Sequence, residues 1–510
     1  MERPRAYQTT IFETTKKHNT LVVLPTGLGK TLIALLLSEH RIKKYPKSKI
    51  LFLAPTRPLV EQHYNYFKKR LPYESHMFTG KINAKKREEL WKSTKIIFST
   101  PQCIENDLKN ERIDLKDVSL LIEDESHRCL KNYAYAYVAK RYLKEAKNPR
   151  LLGLTASPGS DASVIKKICE NLGIDAVEIR TRESHDVKPY LQKLKKEIIK
   201  IELTKELQDI RFLLQQIYKK KIKELKNRKL LFAKTTKTNL IDLQRKLQKM
   251  IGSGNKHFNI LRGVSVCAQA IKIQHLLELL ETQSIESAQN YANNLFEQEK
   301  QGKSKAVKQL VKSKEFCDAY LLLMKLYEKN IEHPKFEKLK EVIQKEINEN
   351  KELKAIIFSQ YRDSVNKICQ ILRTKNIGAK VFIGQAKRRM DGLTQIEQQA
   401  IIREFKQGKI NILVSTSVGE EGLDIPEVDL VVFYEPIPSA IRKIQRAGRT
   451  ARLKPGKLII LMTKGTRDES YHWAAHHKEK KMYKALEDMK KNFKDKIEKK
   501  EQKKIDEFNQ

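Results

Sequence analysis

The eight residues Leu24 to Thr31, LPTGLGKT, sit between two apolar runs, TLVV and LIALLL. Gly27 and Gly29 allow a tight turn whose backbone N–H groups converge on an anion, and a helix starting near Lys30 adds the positive end of its dipole. At this spacing Lys30 reaches the β- and γ-phosphates of a nucleotide and the Thr31 hydroxyl ligates Mg2+, while Pro25, Thr26 and Leu28 complete the loop. The full phosphate-loop pattern has a glycine where this chain has Leu24, so on this stretch alone a plain glycine-containing turn remains an alternative.

A phosphate loop needs a carboxylate at the end of another strand, and VSLLIEDESH supplies Glu123, Asp124 and Glu125 after an apolar run. Asp124 is expected to hold Mg2+ through its water shell, and Glu125 to orient and deprotonate the attacking water. By itself an acidic triplet closing a strand is also an ordinary solvated turn. Far along the chain, IQRAGRTARLKPG places Gln445, Arg446, Arg449 and Arg452 at roughly helical spacing. Guanidinium groups brought from a second domain stabilise the charge that develops on a γ-phosphate. The plainer reading is a basic helix face that meets solvent or a phosphate backbone.

The elements that must position these groups follow from hydropathy rhythm. From residue 20 to 160, short apolar runs (TLVVL, KILFLA, KIIFST, VSLLIED, LLGLTAS) alternate with helical periodicity, the pattern of a parallel sheet covered on both faces. The rhythm returns after residue 350 in KAIIFS, AKVFIG, NILVST, VDLVVFY and KLIILMT. Between them Leu, Lys, Gln and Glu dominate with apolar residues at i, i+3, i+4, i+7, which predicts an inserted helical domain. The expected plan is therefore α/β: a first parallel-sheet domain over 1–180, a helical insert over 181–330, a second parallel-sheet domain over 331–475, and a lysine-rich tail over 476–510 that is a long exposed helix or disordered.

The 510 residues carry 102 Lys and Arg against 62 Asp and Glu, a net charge of +40, which points first to a polyanionic partner. The six cysteines are scattered without metal-ligand spacing, and no apolar run is long enough to cross a bilayer, so a reducing, cytoplasmic setting is expected.

The ordered set RAYQ (5–8), PTGLGKT (25–31), APTRPLVEQ (54–62), STPQ (99–102), DESH (124–127), TAS (155–157), IIFSQYR (356–362), STSVGEEGLDIP (415–426) and QRAGRTAR (445–452) resembles the motifs of superfamily-two helicases. NYAYAYVAKRY, LGLTASPGS and KGTRDESYHW further resemble the branch that includes the archaeal fork-DNA helicases called Hef and the Fanconi-anaemia group M translocases. The resemblance implies two RecA-like domains and an ATP- and Mg2+-dependent helicase or translocase acting on forked and branched DNA in replication-fork repair. It implies that Gln8, with Arg5 beside it, reads adenine, and that Gly422 and Asp424 meet ATP at the cleft. It implies strand contacts from Thr56, Arg57, Thr100, Gln360, Thr416 and Ser417, and coupling of the two sites through His127, Thr155 and Ser157. The insert, including KKKIKELKNRK (219–229), is expected near a phosphate backbone. A double-stranded-RNA-activated ATPase and a nucleic-acid scaffold with a decayed motor remain the alternatives.

The chain departs from the family pattern at Glu123 (usually apolar), Ser126 (usually Ala) and Ala451 (usually Gly). It shows no nuclease E-R-K core, so no nuclease activity is expected from it, and a nuclease supplied in trans is left open. QKKIDEFN spaces Gln502, Ile505 and Phe508 like a sliding-clamp anchor, with a fraying lysine-rich terminus as the alternative.

Overall fold

The structure, a computed structural model, describes residues 3–130, 133–159, 161–232, 235–302, 304–384, 392–420, 425–451 and 454–508. Seven strands form the first sheet: β1 (Thr20–Val23), β2 (Lys49–Leu53), β3 (Ser75–Phe78), β4 (Ile96–Ser99), β5 (Val118–Asp124), β6 (Leu151–Thr155) and β7 (Ala176–Ile179). All are parallel, in the order β3-β4-β2-β5-β6-β1-β7. Helices on both faces bury them, which is why the central strands read as unbroken Val, Ile and Leu.

The second sheet takes β8 (Leu194–Ile201), β9 (Ala355–Phe358), β10 (Ala379–Phe382), β11 (Ile412–Ser415), β12 (Leu430–Phe433) and β13 (Gly456–Thr463) in the order β10-β11-β9-β12-β13-β8. Here the expected boundary at residue 181 moves. β8 pairs along its whole length with β13, so the chain builds an edge of the second sheet before entering the insert, and the helical bundle starts with Lys205–Asn227. Pro334–Glu349, just after the bundle, packs into the second domain's core through Phe336, Leu339 and Ile343.

The tail is also a correction. Arg467–Phe508 is one helix, but it is not a solvated rod: Met482 and Leu486 are fully buried in the first domain's core, with Tyr483, Met489 and Phe493 packed beside them. The helix thus starts on the second domain and lies across the first. Lys490 reinforces the contact with an ion pair to Glu178 at the end of β7. Gln502, Ile505 and Phe508 fall in its last turns, and their side chains lie outside the described residues. Five of the six cysteines are buried and Cys317 is half-buried; all are free thiols. Among the described residues no helix is long and apolar enough to cross a membrane.

Candidate active site

In the first sheet β1, β2, β4, β5 and β6 end on one edge, where loops leave a crevice. Register sets what meets there: Val23 pairs with Thr155, and Asp124 with Leu154, so the phosphate loop, the acidic triplet and Thr155 emerge side by side. Gly27 and Gly29 have φ of 85° and 78°, the left-handed conformation that favours glycine, and Gly29 caps the helix Lys30–Lys44. A Cβ built on Gly29 lands on the Gln8 amide. Gln8 Nε2 and the Tyr7 hydroxyl both donate to the Leu28 carbonyl (3.1 and 2.9 Å), and the Arg5 backbone N–H donates to Gln8 Oε1. Gln8 is thereby locked onto the loop, beside Arg5, whose guanidinium lies 5.2 Å from the Tyr190 ring centroid. Lys30 Nζ donates to the Leu24 carbonyl at 2.9 Å, curled over the loop it serves.

Asp124 is buried and its Oδ2 lies 2.8 Å from His63 Nε2. Burial alone raises a carboxyl pKa, but the His63 hydrogen bond and charge, the Lys30 ammonium and the Glu125 backbone N–H outweigh it and hold Asp124 below its ordinary value. A buried carboxylate and a threonine hydroxyl fit Mg2+, which keeps several waters and takes few protein ligands. Its neighbour Glu123 is opposite in character: fully buried, without a hydrogen-bond partner among the described residues, and pushed well above its ordinary value by desolvation. At the position where the family is apolar, burial thus favours the neutral form of this carboxyl.

Glu125 adopts φ 51°, ψ 44°, a left-handed conformation costing a non-glycine residue roughly 1 kcal/mol, which turns its side chain off the strand direction. Its Oε2 sits 3.3 Å from His127 Nδ1, and the same nitrogen lies 3.3 Å from Thr155 Oγ1. Thr155 Oγ1 in turn accepts the Ser157 backbone N–H, and Ser157 Oγ lies 2.9 Å from Met482 Sδ of the tail helix. The three residues expected to couple the sites form one connected chain.

The second domain closes over this edge. Thr26 Oγ1 donates to the Gly448 carbonyl at 3.1 Å, and Arg449 follows immediately. The helix carrying Gln445 and Arg446 spans only Ala440–Ala447, so the expected continuous helical spacing fails: Arg449 lies in the turn beyond it. Ala451 sits at φ 56°, which is the physical reason for the family's glycine there. Arg449 donates to the Glu420 carbonyl at 2.7 Å, while the Glu420 carboxylate accepts from Arg442 (2.9 Å) and the fully buried Arg446 (2.7 Å). Gly422, Asp424 and Arg452 lie outside the described residues.

A cleft of about 550 Å³ opens between the domains, lined by Thr56, His127 and Arg128 from the first and by Ser417, Glu420 and Gln445 from the second. Thr56 and Thr100 each sit at the start of a helix without capping it. Arg57 opens the first of these helices. Across the cleft Thr416 is buried and Ser417 exposed. Gln360 is not in this lining; its backbone N–H is tied to Glu435, which also accepts from Ser359 Oγ. Sequence reasoning missed His63, Glu420 and Tyr190. For His63 the signal was present, since it stands seven residues after Thr56 on a helix whose buried positions are Val60, His63 and Phe67.

Comparison with known proteins agrees with this architecture. Residues 2–160 match the family described as type III restriction enzyme, res subunit; 334–454 match the helicase conserved C-terminal domain; and 206–330 match "Putative ATP-dependent RNA helicase, helical bundle". The crystal structure of the Pyrococcus furiosus Hef helicase domain is 43% identical with a TM-score of 0.72, over 92% of this chain and 98% of that one. A Methanocaldococcus jannaschii protein named "Putative ATP-dependent RNA helicase MJ1505" is 43% identical over 95% of this chain, and the Neurospora crassa ATP-dependent DNA helicase mph1 is 34% identical over 92%. This chain spans 61% and 42% of the length of those two relatives. The chain belongs to the superfamily-two ATP-dependent helicases of the Hef and Fanconi-anaemia group M type.

Proposed function

We propose that this helicase is a motor that hydrolyses ATP between its two α/β domains and steps along DNA at forks and other branched structures. The observation that carries the motor is the Thr26–Gly448 hydrogen bond, which seats the arginine-bearing turn directly on the phosphate loop. In this reading Lys30 and the loop N–H groups hold the phosphates, Gln8 reads the base, and Glu125 takes the proton of the attacking water. Bound Mg2+, held by Thr31 and Asp124, supplies charge neutralisation on the phosphates. Arg449, with Arg452 beyond it, balances the developing negative charge from the other wall, so turnover depends on domain closure. The His127–Thr155–Ser157 chain carries that state toward the cleft between Thr56 and Ser417.

For the polyanion, three features support nucleic acid. The net charge is +40. On the insert, Lys219, Lys223, Lys226 and Lys229 are exposed while Ile222 and Leu225 between them are buried. Phe232 and Phe258 are 85% and 72% exposed, with the Arg228 guanidinium 6.0 Å from the Phe258 ring, a basic and aromatic combination suited to unpaired bases. Backbone contacts are blind to sequence, as a stepping motor needs, and make affinity fall steeply with salt. DNA is favoured over RNA by the DNA-helicase names of the fungal relatives and of the Drosophila melanogaster one; the helical-bundle family and the Methanocaldococcus jannaschii relative, named for RNA, carry the second reading.

The test is ATPase stimulation and unwinding across single-stranded, duplex, forked and four-way DNA and duplex RNA. Strongest stimulation by forked or four-way DNA is the expected result; strongest stimulation by duplex RNA overturns the DNA assignment. Absence of any stimulated hydrolysis overturns the motor.

A further inference from the structure

The helix Arg57–Lys68 begins in the interdomain cleft, with Thr56 at its N-cap, and buries Val60, His63 and Phe67 along one stripe. Thr56 and His63 are seven residues apart, two turns, so they share that face about 10 Å from one another along the axis. His63 is 5% exposed, its ring lies 4.4 Å from Phe52, and its Nε2 is 2.8 Å from Asp124 Oδ2. Its Nδ1 is buried with no hydrogen-bond partner among the described residues. The carboxylate is thus the one polar group the ring engages there. A carboxylate has only acceptors, so in this 2.8 Å contact His63 Nε2 is the donor. One carboxylate oxygen is then fixed by the ring, and the carboxylate would hold Mg2+ through its other oxygen.

We propose that His63 is a positioning residue that clamps the Mg2+-binding carboxylate of Asp124 and ties it, through one rigid two-turn segment, to the strand-contacting end of the same helix. This rests on the reading of Thr31 and Asp124 as the Mg2+ site and of Thr56 and Arg57 as strand contacts. A side chain that orients a metal ligand from behind typically changes metal affinity or activity ten- to a hundredfold when lost. In this arrangement a strand pressing on the helix N-terminus shifts His63, and with it the carboxylate, so nucleic acid and Mg2+ are linked in binding as well as in turnover.

The experiment uses the full chain and binding of a fluorescent, non-hydrolysable ATP analogue, titrated with Mg2+, with and without a single-stranded oligonucleotide. His63→Phe keeps a ring against Phe52 but has no donor; His63→Gln keeps a donor near the same reach. The expected result is that His63→Phe raises the Mg2+ concentration for half-maximal binding about tenfold or more and abolishes the oligonucleotide's effect on it. His63→Gln stays within about threefold of wild type in both respects. ATPase measured alongside should lose kcat in His63→Phe, and the KM for oligonucleotide should lose the dependence on Mg2+ that the wild type shows. A wild-type Mg2+ response in His63→Phe overturns the inference, because packing alone then explains the ring; so does a Gln variant as weak as Phe. Wild-type protein that binds the analogue without any Mg2+ dependence overturns the Mg2+ site itself, a distinguishable failure.

Discussion

The two walls of the cleft are built differently. On the first domain the reactive groups are aimed by backbone: two glycines at positive φ, a helix N-terminus, and a glutamate turned off its strand by a left-handed residue. On the second, they are gathered around one residue, Glu420, which holds Arg442 and Arg446 on its carboxylate and Arg449 on its backbone carbonyl. Backbone geometry is set once the domain folds, whereas an ion-paired cluster changes partners when a stronger anion arrives. In the proposed motor the first wall is the fixed receptor and the second the part that responds to a nucleotide.

The largest test of that contrast falls on the fixed wall. Glu125→Gln keeps size and the left-handed turn but removes the base, so steady-state ATPase should fall on the order of a thousandfold while oligonucleotide binding by anisotropy stays near wild type. Hydrolysis at the wild-type rate would assign the base elsewhere. On the responsive wall the expected loss is one of folding. Glu420→Ala leaves the fully buried Arg446 without its partner, a change that costs roughly 3 kcal/mol when one side of a buried pair is removed, read as a lower denaturant midpoint.

This asymmetry also explains what the sequence disclosed. Backbone devices leave marks in residue type, so the phosphate loop, the acidic strand end and ten of the thirteen described strands were legible as glycine, carboxylate and apolar runs. β3, β7 and β8, three of the four edge strands, were not; the fourth, β10, was read from AKVFIG. β8 reads LKKEIIKI, half-exposed and lysine-rich, which is how an edge strand discourages further pairing and also how a helical insert looks. Ion-pair hubs leave no such mark. Glu420 is one of two adjacent glutamates, and only the fold shows that its carboxylate meets Arg442 and Arg446 and its carbonyl Arg449. The tail's anchors were hidden similarly: Met482 and Leu486 are sparse among lysines, yet both are fully buried.

Glu435 offers a smaller and pH-dependent handle on the second wall. Burial pushes its carboxyl up to about 7, against the pull of Lys335, Arg446 and the Gln360 backbone N–H. The folded state therefore favours its protonated form more than the unfolded state does. That contribution is complete at pH values below the ordinary carboxylate range and disappears as pH rises through about 7, roughly 2 kcal/mol between about pH 5 and pH 7. Glu435→Gln should remove this component, so that unfolding midpoints of variant and wild type diverge with pH. Parallel midpoints over that range would mean the carboxylate is ionised and paired in the fold.

The subtlest test touches only the seam between the walls. Gly448 has φ −72°, so alanine there carries no backbone strain, and any effect must come from what the new methyl meets. A Cβ at this position overlaps Thr26 Oγ1 and approaches the Ile444 carbonyl to 3.1 Å. Gly448→Ala should therefore leave thermal unfolding almost unchanged and slow ATPase roughly tenfold, about 1.4 kcal/mol, by holding the arginine turn off the phosphate loop. Thr26→Ala in the same chain removes the colliding hydroxyl. If closure at this seam limits turnover, the double variant should be faster than Gly448→Ala alone, even though it has lost the Thr26 hydrogen bond. If it is slower, the hydrogen bond and not the close approach is what the seam contributes, and the second wall is held to the first by polarity instead of fit.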